Sequence, residues 1–306
     1  MSGERPVWMR KTMILILVLV GLGLVVFVAF PFWVYATFTG DQHSPVTNQD
    51  AFLNVKTESF VTETRDGVTI SGWFLPGDDD KAAVILAHGY AGNRLQMLEQ
   101  ARFLNQAKYP VILFDFRNHG MSGGDFTSFG YFEKRDLLAV TKWVSERLKD
   151  RPIVVWGVSM GAACALMAAK ELTGLSAVIA ESSYDTFENS SKRHFELWSP
   201  RTVLIHPALL SIVFLFYREL GGIEVDDAKP IQSVTALGGL PILFVAGRND
   251  ELMRPEMVQG ISQAHPGPAR FYIGEGGHAE VFAKDGKNYR RKVLEFLSTL
   301  NLPQEP

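Results

Sequence analysis

Cysteine is almost absent from this sequence, which contains only Cys164 among its 306 residues. A single cysteine excludes an intrachain disulfide framework and a zinc site built on cysteine ligands. Neither sign of charge is in excess, because 30 Lys and Arg stand against 33 Asp and Glu, for a net charge of −3. The composition therefore does not indicate the basic surface of a nucleic-acid-binding protein.

Several sequence patterns are also missing. The chain has no internal repeat, no low-complexity segment, no P-loop and no glycine fingerprint of a dinucleotide-binding fold. No cluster of metal-ligating residues is apparent, so we predict neither a cofactor nor a metal. Because 47% of the residues are hydrophobic and 21% are charged, the chain is not disordered as a whole. Its length favours one large domain with additional segments.

Charge is missing altogether from one long stretch near the N-terminus, between Thr12 and Gly40. About 20 apolar residues in a helix are enough to cross a bilayer core. Aromatic residues cluster at the end of the stretch, as in an interfacial belt. The run is also longer than the apolar core of a cleaved signal peptide, which has roughly 7–15 residues. We therefore predict an uncleaved transmembrane signal-anchor helix over residues 12–38, which Pro31 either kinks or brings to its end.

The flanks of this stretch predict its orientation. Arg10 and Lys11 precede it, whereas Asp41 and Asp50 follow it. Positive charge marks the cytoplasmic side of a membrane helix, so residues 1–11 are expected to be a cytoplasmic tail. The prediction is a single-pass protein of the cell membrane, with a linker at residues 39–54 and an extracytoplasmic domain at residues 55–302.

Residues 55–302 alternate short runs rich in β-forming residues with helical segments, which predicts a mostly parallel eight-stranded α/β sheet. An opening hairpin is predicted through Asp66 and Gly67. The later strands are expected at Ala83–Ala87, Val111–Asp115, Ile153–Trp156, Ala177–Ala180, Ile242–Ala246 and Arg270–Ile273. Helices are expected near residues 93–107, 130–149, 160–172, 255–264 and 287–300.

One segment, at about residues 182–234, interrupts this alternation because it contains no clear strand. We predict a helical cap over the carboxyl ends of the strands, where ligands bind in such sheets. The run Ala208–Tyr217 is unusually apolar for a surface helix. It predicts either a cap helix buried against the core or a lipid-facing surface that guides apolar substrates toward the site.

A Gly-x-Ser-x-Gly pattern at Gly157–Gly161 follows a predicted strand and opens a helix rich in small residues. This is the context of a nucleophile elbow, in which a serine stands on a tight strand-to-helix turn. The same pattern occurs at Gly120–Gly124, but three further residues separate it from its strand and no such helix follows. Context therefore selects Ser159 as the nucleophile and makes Ser122 a loop serine.

A nucleophilic serine needs a base and an orienting acid, which follow an elbow serine in the order acid, then histidine. His278 lies in a glycine-rich loop after the last predicted strand and is the candidate base. Asp250 follows the strand Ile242–Ala246 and is the candidate acid, with Glu251, Glu275 and Glu280 as rivals. The other histidines lie before the nucleophile, in the linker, in the cap or on the wrong side of a strand: His43, His88, His119, His194, His206 and His265.

An oxyanion hole is the third requirement of acyl transfer. One backbone N–H is expected from Met160, the residue after the nucleophile, and the other from Tyr90 in the loop after the third strand. That glycine-rich loop would also serve as an ordinary strand-to-helix turn with Asn93 as its N-cap, and the two roles are compatible.

These motifs, in this order, resemble those of the α/β-hydrolase superfamily. They are His88-Gly89, Gly92-Asn93, Asp115–Ser122, Gly157–Gly161, Gly247–Asp250 and Gly277-His278. The nearest likeness is the serine aminopeptidase-like and monoacylglycerol-lipase-like branch, and within it the membrane-anchored bacterial hydrolases. The resemblance implies the α/β-hydrolase fold, a triad of Ser159, Asp250 and His278, and an oxyanion hole at Tyr90 and Met160. It implies a structural role for the Asp115–Ser122 loop, in which Asn118 replaces the glycine of many relatives.

Three functions are therefore compared. The first is a serine hydrolase that cleaves carboxylic esters through an acyl-enzyme and acts on a small-molecule ester or a lipid. It would contact the bilayer through residues 12–38, and the cap is a second candidate for such contact. The second is an aminopeptidase-like hydrolase, which needs an acidic anchor for the substrate α-ammonium group. The cap offers four candidate anchors, Glu181, Asp185, Glu188 and Glu196, but also the basic residues Lys192 and Arg193, so the sequence does not decide. The third is a non-catalytic scaffold that binds a partner or lipid through its cap.

Overall fold

A computed structural model describes residues 6–46, 57–200 and 205–300 of the protein. Within these residues, eight strands form one sheet in the order β1-β2-β4-β3-β5-β6-β7-β8. The pairs β1–β2 and β2–β4 are antiparallel and all other pairs are parallel, which confirms the predicted mostly parallel sheet. The strands are β1 Glu58–Glu63, β2 Thr69–Leu75, β3 Ala83–Ala87, β4 Val111–Phe114, β5 Ile153–Val158, β6 Leu175–Glu181, β7 Ile242–Gly247 and β8 Ala269–Gly274.

Helices cover both faces of the sheet. They are α1 Val7–Thr39, α2 Leu98–Gln106, α3 Glu133–Arg147, α4 Met160–Ala168, α5 Phe187–Trp198, α6 His206–Gly221, α7 Pro230–Val234, α8 Pro255–Ala264, α9 Val281–Lys284 and α10 Gly286–Leu297. The central strands are apolar throughout because successive side chains enter opposite cores. In β3, Ile85 enters the core beneath α3, α4 and α8, whereas Val84 and Leu86 enter the core beneath α2 and α10.

Helix α3 begins at Glu133, three residues later than the sequence predicts. Gly130 has a φ of +99°, which is not helical. The Glu133 carboxylate accepts hydrogen bonds from the amides of Ser128 and Gly130 and from the Ser128 hydroxyl. These bonds fix a turn before the helix. The periodicity of apolar residues does not reveal such a turn, so the sequence places the start of the helix too early.

Helix α1 is long and apolar enough to cross a membrane, with a mean hydropathy of 3.2 over its most apolar window. Pro31 does not end the helix, which continues to Thr39. A π-helical turn occupies Val25–Ala29, directly before this proline. Since proline has no N–H and its ring crowds the carbonyl four residues earlier, a wider turn at this place lets the helix continue.

The two parts of α1 have different environments. None of the residues from Val7 to Ala29 is buried, whereas the segment Phe30–Thr39 packs against α6 and buries four residues: Pro31, Val34, Tyr35 and Thr39. The Thr127 amide donates to the Thr39 carbonyl at 3.0 Å. The end of α1, which the sequence assigns to the membrane and the linker, is therefore part of the folded domain.

The described residues between β6 and β7 form helices and connecting loops, with no strand. The helical elements are α5, α6, a 3-10 turn at Val225–Asp227 and α7. One face of α6 is buried against α5 and α1 through residues such as Leu210 and Val213, while Leu215 on the opposite face remains exposed. The predicted alternatives for this helix therefore apply to different faces: one is buried, and the opposite face is free. The assignment of Glu181 to the cap was wrong, because this residue ends β6.

Candidate active site

Ser159 stands between β5 and α4 with φ +53° and ψ −117°, a conformation that is costly for a residue with a Cβ. The turn is this tight only because glycines flank it. A Cβ on Gly157 would lie 2.3 Å from the Gly161 carbonyl oxygen, and one on Gly161 would lie 2.2 Å from the Ala87 carbonyl oxygen. The Ser159 amide is held by the Glu181 carbonyl at 2.8 Å. The strained turn presents the serine hydroxyl at the carboxyl end of the central strands.

Ser122, in the second copy of the pattern, has a different environment. It is buried, its hydroxyl donates to the Asp115 carbonyl at 2.6 Å, and it accepts from the Ser71 amide at 2.9 Å. Both capacities of the hydroxyl are thus used in joining the loop to β2. Ser122 lies in a structural loop, as predicted from its context.

The structure brings Ser159, His278 and Asp250 into one hydrogen-bonded chain. The distance from His278 Nε2 to Ser159 Oγ is 2.9 Å, and that from His278 Nδ1 to Asp250 Oδ2 is also 2.9 Å. The other oxygen of Asp250 accepts from the amides of Leu252 and Met253 at 3.0 and 2.7 Å. These two bonds orient the buried carboxylate toward the imidazole. Such an arrangement can remove a proton from the serine and return it to a leaving group.

The rival acids do not reach His278. The Glu251 side chain is exposed. Glu275 pairs with Arg248 at 2.8 Å, and Glu280 accepts from the Gly277 amide at 3.0 Å. Asp250 is the carboxylate at the imidazole because it occupies the first turn after β7, next to the loop that follows β8.

Two buried histidines support the loop after β3. His88 donates through Nδ1 to the Gly89 carbonyl and accepts through Nε2 from the Phe116 amide, and burial lowers the pKa of its imidazole to about 4. His119 accepts from the Ala91 amide at 3.3 Å. Both imidazoles form hydrogen bonds with backbone groups, so they shape the loop after β3 rather than act as bases.

The amides predicted for the oxyanion hole lie on the two loops that meet at Ser159. A Cβ on Gly89 would lie 3.4 Å from Ser159 Cβ, which shows how closely the loop before Tyr90 approaches the serine. Met160 is the first residue of α4, where backbone N–H groups have no partner within the helix. Among the described residues, neither amide donates a hydrogen bond to another group. Both are therefore available to an oxyanion.

The Asp115–Ser122 loop is built around a buried ion pair. Asp115 accepts from the backbone and the guanidinium of Arg94, with a shortest distance of 2.6 Å, and from the Met121 amide. Asn118, the departure from the usual glycine, has a φ of +59°. Its side-chain amide donates to the Gly40 carbonyl at 2.7 Å and to the Thr39 carbonyl at 3.3 Å. In this chain, Asn118 fastens the end of α1 to the loop.

A cavity of about 460 Å³ opens beside Ser159 and His278. Most of its wall is aromatic or aliphatic. Its polar lining consists of uncharged groups, such as Ser190, Ser191 and His194, and burial lowers the pKa of the His194 imidazole. No Asp, Glu, Lys or Arg lines the cavity among the described residues. The site therefore suits an uncharged, apolar group next to the reacting carbonyl.

Sequence reasoning missed one wall of this cavity. Trp33, Val34, Thr37 and Phe38 of α1 line it, together with cap residues that include His194. The aromatic residues at the end of the predicted anchor were interpreted only as an interfacial belt, and the sequence contains no further signal for their role. Within the described residues, no group of three or more His, Cys, Asp or Glu side chains could hold a metal ion.

Comparisons with known proteins agree with this architecture. Residues 82–215 match a family model described as alpha/beta hydrolase fold. The uncharacterized protein YqkD of Bacillus subtilis is 28% identical over 82% of this chain and 83% of its own length. Lysophosphatidylserine lipase ABHD12 of Mus musculus is 29% identical, but over only 48% of this chain and 42% of its own length.

Among solved structures, the Pyrococcus furiosus esterase Pf2001 superposes with a TM-score of 0.70. The superposition covers 86% of this chain and 98% of the esterase, at 24% sequence identity. A likeness at this identity concerns the fold. The chain has the α/β-hydrolase fold.

Proposed function

We propose that the protein is a membrane-anchored serine hydrolase that cleaves carboxylic esters. The observation that carries this proposal is the hydrogen-bonded chain of Ser159, His278 and Asp250 at an uncharged cavity. The similar proteins include an esterase and a lipase, which agrees with it. The order of the motifs favours the serine aminopeptidase-like and monoacylglycerol-lipase-like branch.

In the proposed reaction, Ser159 Oγ attacks the ester carbonyl carbon while His278 Nε2 takes the hydroxyl proton. The amides of Tyr90 and Met160 donate to the oxyanion, which is the point of greatest electrostatic stabilisation. His278 then gives the proton to the departing alkoxide, leaving an acyl group on Ser159. A water molecule, activated by the same imidazole, hydrolyses this acyl-enzyme and restores the hydroxyl.

The composition of the cavity favours an ester over the free N-terminus of a peptide. The acidic candidates for an ammonium anchor lie elsewhere. Glu181 is buried and accepts from the Tyr289 hydroxyl at 3.0 Å, while Glu188 and Glu196 pair with Lys192 and Arg193 on the surface of α5. An α-ammonium group in the cavity would be desolvated without a counter-charge, which is costly.

The membrane anchor is also part of the proposal. The exposed, uncharged part of α1 is long enough to span a bilayer, and the basic residues before it favour a cytoplasmic N-terminus. The catalytic domain would then lie outside the cytoplasm. The complete set of catalytic groups argues against a purely non-catalytic scaffold.

The proposal is tested with the full chain in detergent micelles. We expect hydrolysis of p-nitrophenyl butyrate and a covalent adduct with a fluorophosphonate probe, which mass spectrometry locates on Ser159. Ser122 is the internal control, because its hydroxyl is buried and used in two hydrogen bonds. Purified protein that neither hydrolyses the ester nor forms the adduct would disprove the proposed function.

A further inference from the structure

We propose that the last turns of α1 are a wall of the acyl-binding site, and that a long-chain acyl ester enters this site directly from the membrane between Trp33 and Trp198. This inference rests on the proposed function and extends it to the class of substrate and its route. It also gives α1 a second role, since the same helix would anchor the enzyme and select its substrate.

The first support is the position of α1 at the reacting groups. Thr37 and Phe38 line the same cavity as Ser159 and His278. The Phe38 ring packs on the Tyr90 ring with centroids 6.0 Å apart, and Tyr90 carries one of the amides assigned to the oxyanion. The helix thus reaches to within one side chain of the groups that would hold the ester carbonyl.

The second support is that this part of α1 is fixed to the enzyme. Tyr35 packs edge-on against Tyr217 of α6, with ring centroids 5.3 Å apart. At the end of the helix, Asn118 and Thr127 donate to the carbonyls of Gly40 and Thr39. A wall that is packed on one side and hydrogen-bonded at its end can discriminate between acyl chains, whereas a flexible tether could not.

The third support is the depth at which the cavity would open. Phe30 lies 19 residues after Lys11, which at 1.5 Å per residue is about 28 Å along the helix axis. A bilayer core is about 30 Å thick. With Lys11 at the inner surface, Phe30 and Trp33 therefore lie at the outer interface, where tryptophan is favoured.

The rim of the cavity at this level is apolar. The Trp33 and Trp198 rings meet there with centroids 6.3 Å apart, so an entering acyl chain has to separate them. Trp33 and Trp198 both line the cavity, yet they are 53% and 60% exposed. Phe30 stacks on Trp198 with centroids 5.8 Å apart, which joins the rim to the membrane helix. Exposed apolar groups in one patch indicate a surface that is covered in use, and here a lipid interface covers it.

The decisive experiment attaches an alkyl group to an introduced cysteine, which is possible because the one native cysteine, Cys164, is buried. Cys164 is fully buried, and burial raises the pKa of its thiol, so it does not react with alkylthiosulfonates. Thr37 and Ala36 are both exposed neighbours on α1, but only Thr37 lines the cavity. The two variants Thr37→Cys and Ala36→Cys are therefore matched sites for attaching an alkyl group.

After labelling with a butyl methanethiosulfonate, we expect Thr37→Cys to lose roughly tenfold or more in kcat/KM for p-nitrophenyl palmitate, because the attached chain occupies the space of several substrate methylenes. The palmitate-to-butyrate ratio of kcat/KM should fall with it, since the shorter acyl chain needs less of the cavity. Labelled Ala36→Cys should retain both activities. Equal palmitate-to-butyrate ratios in the two labelled variants would overturn the inference, whereas absence of butyrate hydrolysis in unlabelled wild type would overturn the proposed function itself.

The route is tested separately with the full chain in nanodiscs. Replacing both Trp33 and Trp198 by Ala should lower the hydrolysis of bilayer-dissolved palmitoyl ester by roughly fivefold relative to that of soluble butyrate. Trp8→Ala is the control, because Trp8 is 68% exposed at the other end of α1. The same rate on bilayer-dissolved ester in the double variant and in the control would exclude access between the two tryptophans.

Discussion

The proposed catalytic groups and the cavity beside them are built in two different ways. Ser159 and Asp250 lie on short turns after β5 and β7, the two parallel strands on either side of β6, and are held by backbone hydrogen bonds. The cavity wall comes from α1 and the cap, which meet through ring contacts such as that of Tyr35 with Tyr217. The first construction tolerates almost no change of geometry. The second tolerates different apolar side chains, provided that shape and volume are kept.

This difference predicts where chemistry and specificity separate. Changes at the strand ends should abolish turnover of every ester, because they remove groups that act on the carbonyl itself. Changes in the wall should alter the preference between long and short acyl chains and leave turnover of short esters intact. The following variants probe this separation.

The largest effect is expected for Ser159→Ala, which removes the nucleophile. Turnover of butyrate and palmitate esters should both fall by roughly 10⁴-fold or more, the order seen when a catalytic serine is deleted. Ser122→Ala is the matched control from the second copy of the motif. It should lose stability, measured by thermal unfolding, and keep fluorophosphonate labelling. A labelled Ser159→Ala protein would show that another residue is the nucleophile.

Asp250→Asn should have the next largest effect. The amide cannot stabilise the imidazolium that forms when His278 takes the proton, and it favours the wrong tautomer, which costs roughly 10⁴-fold in kcat in comparable triads. Glu251→Gln, one residue further along, should retain activity on both esters within about twofold, as expected for an exposed substitution. If Asp250→Asn changed only the preference for long acyl chains, the strand-end groups would not be the ones that act on the ester carbonyl.

Glu181, a buried carboxyl at the end of β6, should make the free energy of unfolding depend on pH. Burial raises the pKa of its carboxyl to about 7 from an ordinary value of 4.5. The folded state therefore keeps a proton that the unfolded state loses, so stability falls as the pH rises from about 4.5 to about 7. Between pH 5 and 8 this group should remove about 2–3 kcal/mol from the free energy of unfolding.

Glu181→Gln should remove this contribution to the pH dependence, because the amide resembles the protonated carboxyl and carries no charge at either pH. Asp136, whose pKa burial also raises to about 7, keeps its own contribution. Denaturant unfolding of wild type and variant at pH 5 and pH 8 gives the comparison. Glu188→Gln, on the surface of α5, is the control and should leave the dependence as in wild type. A variant with the slope of wild type would assign the pH dependence to other groups.

The smallest effect is expected for Asn118→Gly, which is compatible with the positive φ at this position. It removes the hydrogen bonds to the carbonyls of Thr39 and Gly40, each contributing about 1 kcal/mol. The end of α1 should then be held less firmly against the cavity. We expect the palmitate-to-butyrate ratio of kcat/KM to fall about threefold, because a free-energy loss of less than about 1 kcal/mol in long-chain binding has this effect. A lower butyrate rate with an unchanged ratio would place Asn118 in the catalytic construction instead.

Much of the catalytic side could be predicted from the sequence because its geometry depends on local chemistry. Gly157 and Gly161 are required by close backbone approaches that no side chain permits, and such requirements appear as motifs. The strands could be recognised because burial on both faces demands continuous apolar runs. The eight-stranded sheet was predicted in this way and is confirmed, while the catalytic roles remain a prediction that the variants above test.

The wall could not be predicted, because aromatic residues such as Trp33 and Phe38 fit a membrane interface and a protein cavity equally well. Their role depends on contacts with residues far away in the sequence, including Tyr90 and Tyr217. Asn118 is a similar case. Its difference from the usual glycine has no meaning until the end of α1 is seen to lie against it.

The π-helical turn at Val25–Ala29 has a consequence for the whole arrangement. One additional residue in a helical turn rotates everything that follows by about 100° relative to a regular helix. The turn thus sets the angular phase between the exposed part of α1 and the part that lines the cavity. If the same residues formed a regular α-helix, Trp33 and Phe38 would face another side of it. A foreign helix of equal length and hydropathy would therefore not rebuild this wall of the cavity.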